Sequence, residues 1–397
     1  MQTKKLHLKK NEDRRLRAGH VWIYSNEIDT KLSPLKSFTA GEEVQVISHD
    51  QSCLGMATVN PHSLITGRLF SRKKDARLDQ AFINERINAA LQLRQRLYSR
   101  PFYRLIFGES DGLPGIVADR YDSTIVIQIT TASMEARKDI VIQAFRQAVP
   151  ELTSILLRND SNARKQENLE SYIESGWGEL PDVICVEENG LQFSAPLSEG
   201  QKTGWFYDHR LNRSRLATYV KDQRVLDVFS YLGAWGLQAA QSGEQQVMCV
   251  DVSSLAEKWI AQNARRNHLD NKVNVYCEDA FVALKKLQEN SEKFGVIILD
   301  PPAFVKKLKD KKEGAIAYQR INEAAFKLLE PNGILISCSC SMHMQYDELT
   351  QAIRRAASRA HREIQILERG HQAPDHPVHI AIPETDYLKM VIVRCVD

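Results

Sequence analysis

The stretch Asp227-Val-Phe-Ser-Tyr-Leu-Gly233 decides the fold of this chain. Apolar residues lead into it and apolar residues at helical spacing follow it, which predicts a strand, a glycine-containing turn and a helix. Three further signals come after it in order: an acidic strand end at Asp251, Asp300-Pro-Pro-Ala-Phe304 and Ser337-Cys-Ser-Cys-Ser341. Each signal alone is weak, because similar turns also occur in enzymes that bind NAD. The fixed order of all four is much harder to obtain by accident.

From Lys221 onward, short apolar strands alternate with helices. This alternation predicts a parallel sheet covered by helices on both faces, which is a Rossmann-like α/β fold. Two final strands, at about 363–367 and 387–394, arrive without a helix between them. They predict an antiparallel edge of the same sheet.

The chain has 397 residues, more than one compact core usually holds, so two or three domains are expected. Residues 1–72 carry short alternating segments separated by turn-forming residues, which predicts a small β-rich module. Residues 76–190 combine helices and strands and are typical of an α+β domain. Residues 191–397 then contain the α/β domain.

Charge and cysteine content bear on the partners and the cellular compartment of the protein. The 53 basic and 50 acidic residues give a formal net charge of +3, which neither demands nor excludes a nucleic acid partner. The seven cysteines are an odd number scattered over a long chain, which favours a reducing compartment over a disulfide scaffold. No apolar run approaches the roughly 20 residues that span a bilayer. We therefore expect a cytoplasmic protein without membrane contact.

The strand-end residues favour S-adenosylmethionine as the ligand of the turn. Asp251 lies one helix and one strand after Gly233, where a carboxylate would accept hydrogen bonds from ribose hydroxyls. Asp279 ends the next strand and could receive an adenine amino group. Phe229 and Tyr231 stand where a pyrophosphate would need bare backbone, which counts against NAD. The alternative for each aspartate is a solvated strand end or a helix N-cap. The residues assigned to the cofactor are Asp227, Phe229, Ser230, Gly233, Asp251, Asp279 and Asp300.

The turn from Asp300 to Phe304 suits a planar nucleobase, because its two prolines fix the backbone beside the carboxylate. Carbon 5 of a pyrimidine is too weak a nucleophile to take a methyl group directly, so a thiolate must first add to carbon 6. Cys340 is placed for that addition, and Cys338 is the alternative nucleophile; free cysteines are otherwise usually small buried hydrophobes. Asp300 would hold the N3 and amine edge of the base. The residues assigned to the substrate on this turn are Pro301, Pro302 and Phe304.

A run of lysines follows this turn directly. Lys306, Lys307 and Lys309 are expected to contact RNA phosphates and to position the strand without reading its sequence. The alternative is a solvated mobile loop.

With these residues in view, the sequence resembles the bacterial large-subunit (23S) ribosomal RNA cytosine-C5 methyltransferases. That resemblance implies an N-terminal PUA RNA-binding domain, a central α+β domain and a C-terminal class I methyltransferase domain. It selects Cys340 over Cys338 as the nucleophile, and it implies ribosomal RNA as the partner. The stretches that carry it are Gly108-Glu-Ser-Asp-Gly-Leu-Pro-Gly115, Gln201-Lys-Thr-Gly-Trp-Phe-Tyr-Asp-His-Arg210, Asp227 to Gly233, Asp300 to Phe304 and Ser339-Cys-Ser341.

The same resemblance adds one group of residues and shows one departure. It implies that the Gln201–Arg210 stretch closes over the methyl donor. The residues it adds to the cofactor side are Lys202, Thr203, Phe206 and Asp208. Many RNA cytosine-C5 enzymes have a second cysteine after the Asp-Xaa-Pro turn, but this chain has Ala303 there. Product release must then use another base, either water held by Asp300 or a side chain such as His343.

Two other functions remain open at this point. The first is a guanine methyltransferase on the same Asp-Pro-Pro turn, which needs no cysteine because the guanine nitrogen attacks the methyl group directly. The second is a noncatalytic RNA-binding assembly factor. We expect no metal. The sequence does not indicate the oligomeric state, and a homodimer remains possible.

Overall fold

The computed structural model describes residues 3–197, 203–243 and 246–397, which form two compact units. The first unit contains the described residues of Met1–Ile184, Pro196–Trp205 and Pro374–Thr385. The second contains those of Cys185–Ala195, Phe206–Ala373 and Asp386–Asp397. None of the helices in these residues combines the length and the apolar character needed to cross a bilayer.

The N-terminal part of the first unit is a mixed sheet, as its alternating segments predicted. Its strand order is β1-β3-β4-β5-β2, in which β1 and β3 are parallel and the other pairs are antiparallel. Side chains from alternate strand positions, among them Leu6, Ile23 and Val44, are buried in its core. The elements are β1 (Lys4–His7), α1 (Arg14–Arg17), β2 (Trp22–Tyr24), β3 (Glu42–Ile47), β4 (Cys53–Val59) and β5 (Ile65–Ser71).

The central part of the first unit is a second sheet with helices, which is the predicted α+β arrangement. Its strand order is β10-β9-β8-β7-β6, with β8 and β9 parallel. The long helix α2 begins at Asp79, whose carboxylate accepts the backbone N–H of Phe82 at 3.0 Å. The elements are α2 (Gln80–Leu97), β6 (Phe102–Phe107), β7 (Ile116–Tyr121), β8 (Thr124–Ile129), α3 (Ala132–Glu135), α4 (Lys138–Ala148), β9 (Ser154–Asn159), α5 (Ala163–Gln166) and β10 (Tyr172–Trp177).

A short segment from the C-terminal region, Pro374–Thr385, belongs to this first unit. Buried Arg94 donates to the backbone oxygen of Asp375 at 2.8 Å, and the Asp375 carboxylate accepts the backbone N–H of Arg104 at 3.0 Å. These contacts hold the segment against α2 and β6.

The second unit is built on a seven-stranded sheet among the described residues. A two-stranded sheet of β11 and β12 precedes it. Its elements are β11 (Val183–Glu188), β12 (Leu191–Pro196), α6 (Arg210–Ser214), β13 (Val225–Val228), α7 (Ala234–Ser242), β14 (Val247–Asp251), α8 (Ser254–Arg266), β15 (Val273–Cys277), α9 (Ala280–Glu289), β16 (Phe294–Leu299), α10 (Lys311–Leu328), β17 (Leu329–Ser339), α11 (Tyr346–Arg359), β18 (Ile364–His371) and β19 (Lys389–Cys395).

The order of this sheet is β15-β14-β13-β16-β17-β19-β18. Strands β13 to β17 are parallel, and β19 inserts antiparallel between β17 and β18. The predicted antiparallel edge is thereby confirmed. The strand order reverses between β13 and β16, so the carboxyl ends of these two strands flank the crevice where such folds bind ligands.

Packing explains why these strands read as continuous apolar runs. Every residue of β16 is buried, and helices α9, α10 and α11 share one hydrophobic cluster with β13, β16 and β17. Strands covered in this way need no polar face. The polar residues therefore collect at the strand ends.

Candidate active site at the carboxyl ends of the strands

The turn after β13 holds bulky residues in an unfavourable backbone conformation. Phe229 and Tyr231 have φ of 68° and 52°, and Gly233 has φ of 84°. A non-glycine residue in this region costs on the order of 1–3 kcal/mol and is common at functional sites. At Gly233 the positive φ and a Cβ distance of 2.7 Å to Leu237 Cδ1 both favour glycine. The turn is therefore a strained, tightly packed loop at the sheet reversal.

Two of the predicted cofactor residues use their side chains for hydrogen bonds that stabilise this turn. Asp227 is fully buried, and its Oδ2 accepts the backbone N–H of Gly236 at 2.9 Å. The Ser230 hydroxyl donates to Asp227 O at 2.7 Å and accepts the backbone N–H of Val250 at 3.0 Å. Burial raises the pKa of the Asp227 carboxyl to about 7. Both side chains brace the turn from beneath, and a direct contact with the cofactor stays a prediction for them.

The two strand-end aspartates differ in their surroundings. Asp251 is half-buried beside the turn, where its carboxylate accepts the backbone N–H groups of Tyr231 at 2.9 Å and Ser253 at 3.0 Å. Asp279 is exposed and caps the N-terminus of α9 through two backbone N–H groups. An ionised carboxylate has about four lone-pair sites, so both retain capacity for a ligand. Asp251 is the better placed, because it is bonded to the turn itself.

Two residues of the Gln201–Arg210 stretch do not belong to the described part of the second unit. Lys202 is outside the described residues. Thr203 is buried in the first unit, where its hydroxyl donates to Asp119 and its backbone oxygen accepts the Tyr121 hydroxyl at 3.1 Å. Their assignment to the cofactor stays a prediction.

Phe206 and Asp208 belong to the second unit. The Phe206 ring meets Tyr231 edge to face at 5.3 Å between centroids, and Arg213 donates to Phe206 O at 2.7 Å. Asp208 is buried, and its carboxylate accepts the Tyr387 hydroxyl at 2.5 Å. Phe206 is thus positioned against the strained turn, and an aromatic edge there suits an adenosine.

The turn after β16 carries Asp300, whose side chain is 21 % exposed. The Trp235 indole donates to Asp300 Oδ2 at 3.0 Å, and His209 Nε2 lies 3.3 Å from Asp300 Oδ1. Burial alone would raise the pKa of Asp300, but His209 and the Trp235 hydrogen bond outweigh it and hold the pKa below its usual value. Asp300 is therefore a carboxylate at neutral pH, able to accept hydrogen bonds and unable to donate them.

Cys340, the predicted nucleophile, lies beside the turn that follows β16. It follows β17, it is half-buried, and its thiol donates to the backbone oxygen of Pro301 at 3.9 Å. The serines on either side anchor it, since Ser339 Oγ lies 2.8 Å and Ser341 Oγ 3.0 Å from the buried Tyr318 hydroxyl. The structure thus brings the thiol to the Asp300-Pro301 turn.

Cys338 is in a different environment. It is fully buried within β17, and burial raises the pKa of its thiol well above the usual value. His209, Asp300 and Cys338 bring a nitrogen, an oxygen and a sulfur within 4.8 Å of one another. A thiol must lose its proton to bind a metal or to attack carbon, and this one is held protonated. Cys338 is therefore a poor nucleophile at neutral pH.

The predicted RNA-side residues on and after this turn differ in exposure. Pro301 is buried, Pro302 is exposed, and Phe304 is half-buried against the Tyr318 ring at 4.9 Å. The lysines 306, 307 and 309 are exposed, and in the described part of the chain no carboxylate lies within 4.0 Å of their ammonium groups. Their charge is available to an anion.

Sequence reasoning missed the residues that surround Asp300 and Cys340. His209 stood inside a stretch already singled out and was passed over, and Trp235 stood two positions after Gly233. Lys389 and Tyr318 come from elements that only the fold brings to the thiol. His209 and Trp235 could have been found from the sequence, because each stands directly beside a stretch assigned to the cofactor.

The arrangement at β13 and β14 fits S-adenosylmethionine. The turn offers strained backbone, an aromatic edge at Tyr231 and the Asp251 carboxylate for hydroxyl groups. Phe229 and Tyr231 occupy the positions that a pyrophosphate would need. A nucleoside without phosphates therefore matches the donors and acceptors present.

Two protein families match the chain. The PUA-like domain family matches residues 6–72, and the S-adenosylmethionine-dependent methyltransferase family matches residues 105–388. A protein of Tolumonas auensis named "Ribosomal RNA large subunit methyltransferase I" is 38% identical over 398 residues, covering 98% of this chain and 99% of its own. A protein of the same name from Shewanella frigidimarina is 37% identical over 396 residues, with coverage of 98% and 99%.

Two solved structures align with nearly the whole chain. A SAM-dependent methyltransferase from Streptococcus mutans aligns with a TM-score of 0.83 at 21% identity, covering 99% of this chain and 100% of its own. Another methyltransferase structure, complexed with SAH, aligns with a TM-score of 0.85 at 21% identity and the same coverage. At this identity the likeness shows the fold, and with the two matching families it confirms the predicted fold class.

Proposed function

Because the chain belongs to the S-adenosylmethionine-dependent methyltransferase family, we propose that it methylates large-subunit ribosomal RNA and forms 5-methylcytidine through a covalent adduct with Cys340. The names of relatives that align over nearly the whole chain support large-subunit ribosomal RNA as the substrate. The observation that carries the base and the mechanism is the position of the Cys340 thiol, 3.9 Å from the backbone oxygen of Pro301, the residue that follows Asp300. The reaction takes place in the cytoplasm.

S-adenosylmethionine supplies the methyl group from its sulfonium when bound. Cys340 attacks carbon 6 of cytosine as a thiolate, so that an S–C6 bond forms and the C5=C6 electron pair shifts to carbon 5. Carbon 5 then takes the methyl group. A base removes the carbon-5 proton, the freed pair re-forms C5=C6, and the S–C6 bond breaks to return the thiolate.

Asp300 acts on the amine edge of the base. Since its pKa is held below the usual value, it is ionised and accepts a hydrogen bond from the exocyclic amine of cytosine. Trp235 and His209 fix the carboxylate from its other side. This sharpens the sequence-based role, because a carboxylate cannot supply a proton to N3.

The proton on carbon 5 leaves without help from a second cysteine, because Ala303 occupies that place. The acceptor is water held by Asp300 or the half-buried His343. Either choice leaves the addition at carbon 6 unchanged.

RNA binding uses two separate regions of the chain. Lys306, Lys307 and Lys309 contact phosphates beside the reacting base, and their exposure without carboxylate partners supports this. Residues 1–72 serve as a PUA RNA-binding domain, residues 76–190 as a central domain and residues 191–397 as the catalytic domain. The PUA-like family match at residues 6–72 supports the first assignment.

The proposal is tested by incubating the protein with labelled methyl donor and ribosomal RNA from a strain lacking the corresponding gene, followed by nucleoside analysis. We expect label in 5-methylcytidine. The Cys340→Ser variant should lose at least about a thousandfold in rate, since the covalent step has no substitute. The matched Cys338→Ser variant should stay active. Label in methylguanosine, or donor binding without any transfer, contradicts the proposal.

A further inference from the structure

Lys389 is a buried cation next to the proposed nucleophile. It opens β19, pairs with Ser339 of β17, and its side chain is 2 % exposed. Its Nζ atom lies 3.3 Å from Ser341 O, 3.3 Å from Asp386 O and 3.2 Å from Tyr387 O. An ammonium has three N–H donors and no acceptor, so these three carbonyl oxygens match it fully. The site is built for the charged form of lysine.

This cation has no close anionic partner. In residues 3–197, 203–243 and 246–397, no carboxylate lies within 4.0 Å of Lys389 Nζ. The acidic side chains that act on it are Asp386 and Glu348, and Glu348 already pairs with Lys311 at 2.7 Å. Burial lowers the pKa of Lys389 more than these groups raise it. A buried ammonium without a counterion is destabilising, so its retention points to an anion that forms during the reaction.

The Cys340 thiol is the group that can become this anion. It stands between Ser339, the cross-strand partner of Lys389, and Ser341, whose backbone oxygen accepts from Nζ. The thiolate of Cys340 raises the pKa of Lys389, as an opposite charge nearby must. The other titratable groups facing the pair are the Tyr318 hydroxyl, which burial holds protonated, and the Cys338 thiol. Neither supplies a negative charge at neutral pH.

We propose that Lys389 is a positioning residue whose ammonium stabilises the Cys340 thiolate before it attacks the base. The inference rests on the function proposed above, and the thiol proton passes to water. Lys389 is not the base that removes the carbon-5 proton, because all three of its donors are engaged and no lone pair is left to accept one. Its charge acts again when the S–C6 bond breaks, since the leaving group is the same thiolate.

The test measures thiol ionisation without methyl transfer. Full-length protein is alkylated with iodoacetamide from pH 5.5 to 10, and modification of the Cys340 peptide is followed by mass spectrometry. Exposed Cys185 and Cys277 serve as internal references. We expect the pH midpoint for Cys340 in the unmodified sequence to lie below about 7.5, against about 8.5 for an ordinary thiol. A midpoint at or above the ordinary value overturns the inference without any variant.

Variants then assign the effect to Lys389. Lys389→Gln should lower the alkylation rate of Cys340 at pH 7 by about tenfold, as one pKa unit requires, and Lys389→Arg should restore most of it. Lys272→Gln is the matched control, because Lys272 Nζ also lies on carbonyl oxygens, of Gly243 at 3.0 Å and Ala240 at 3.5 Å. Unchanged alkylation in a folded Lys389→Gln protein contradicts the inference. If Cys340→Ser stays active in methylation, it is the proposed function that fails.

Discussion

The two ends of the crevice use their polar groups in opposite ways. On the donor side, Ser230 and Asp251 hydrogen-bond to neighbouring backbone and hold a strained turn. On the reacting side, the Cys340 thiol donates to the Pro301 backbone oxygen at 3.9 Å, and the Lys389 ammonium rests on uncharged carbonyls. The polar groups on the donor side hold the fold of the turn, whereas the reacting side contains a thiol and a charged ammonium.

This difference indicates where substitutions should be felt. Changes on the donor side remove interactions that the folded protein already makes, so they alter stability or donor affinity. Changes on the reacting side remove interactions that form only with the RNA base, so they alter rate. Four substitution experiments test that division.

The largest effect is expected at Asp300. Asp300→Asn removes the charge that accepts the cytosine amine, and we expect kcat to fall on the order of a thousandfold with donor affinity nearly unchanged. Single-turnover methylation and calorimetric donor binding measure the two quantities. Asp310→Asn on the neighbouring loop is the control and should keep most of the activity. A large loss of donor affinity with normal kcat would place Asp300 on the donor side.

The next effect concerns stability and pH. Burial raises the pKa of Asp227 to about 7 from 3.8, so the folded protein holds a proton that the unfolded chain releases. Stability from this group is complete below about pH 4 and is lost as the pH rises to about 7. We expect the free energy of unfolding to fall by about 3 kcal/mol between pH 5 and 8 from this cause. Denaturant titrations should show a flatter profile in Asp227→Asn, and equal slopes would refute the assignment.

A smaller effect is expected at Asp251. Asp251→Asn weakens the charge-assisted hydrogen bonds to the donor, which are worth about 1.5–3 kcal/mol. We expect the KM for S-adenosylmethionine to rise about tenfold to a hundredfold, with kcat within about threefold of the unmodified protein. Asp270→Asn, an exposed change beyond α8, should leave both constants unchanged. Loss of kcat alone would move Asp251 out of the donor side.

The smallest effect per residue is expected from the lysine run. Replacing Lys306, Lys307 and Lys309 with Gln should weaken RNA binding about tenfold. The slope of the logarithm of the binding constant against the logarithm of the salt concentration should become shallower by about 2, because each phosphate contact on single-stranded RNA contributes about 0.7 to it. Binding isotherms across salt concentrations measure this. The control replaces three other exposed lysines with Gln: Lys221, Lys258 and Lys285. If the control loses RNA affinity and salt dependence to the same extent, the effect comes from net charge and not from contacts of the lysine run.

The sequence predicted the parts of the site that one strand and its following turn create. Asp251 and Cys340 could be placed because parallel strands bring their carboxyl ends to one edge. His209 and Lys389 could not, because their positions depend on packing between segments far apart in the chain. The fold class was readable from patterns, but the return of Pro374–Thr385 to the first unit was not. That return rests on single buried contacts, such as Arg94 with Asp375, which leave no periodic signal.

The covalent role of Cys340 can be tested most directly with RNA that carries 5-fluorocytidine in place of cytidine. Fluorine at carbon 5 cannot leave as a proton, so the S–C6 bond should persist after methyl transfer. Incubation with S-adenosylmethionine should yield a protein–RNA complex that survives denaturation, and mass spectrometry should place the link at Cys340. Methylation of ordinary RNA without any such complex, or a link through Cys338, would contradict the account.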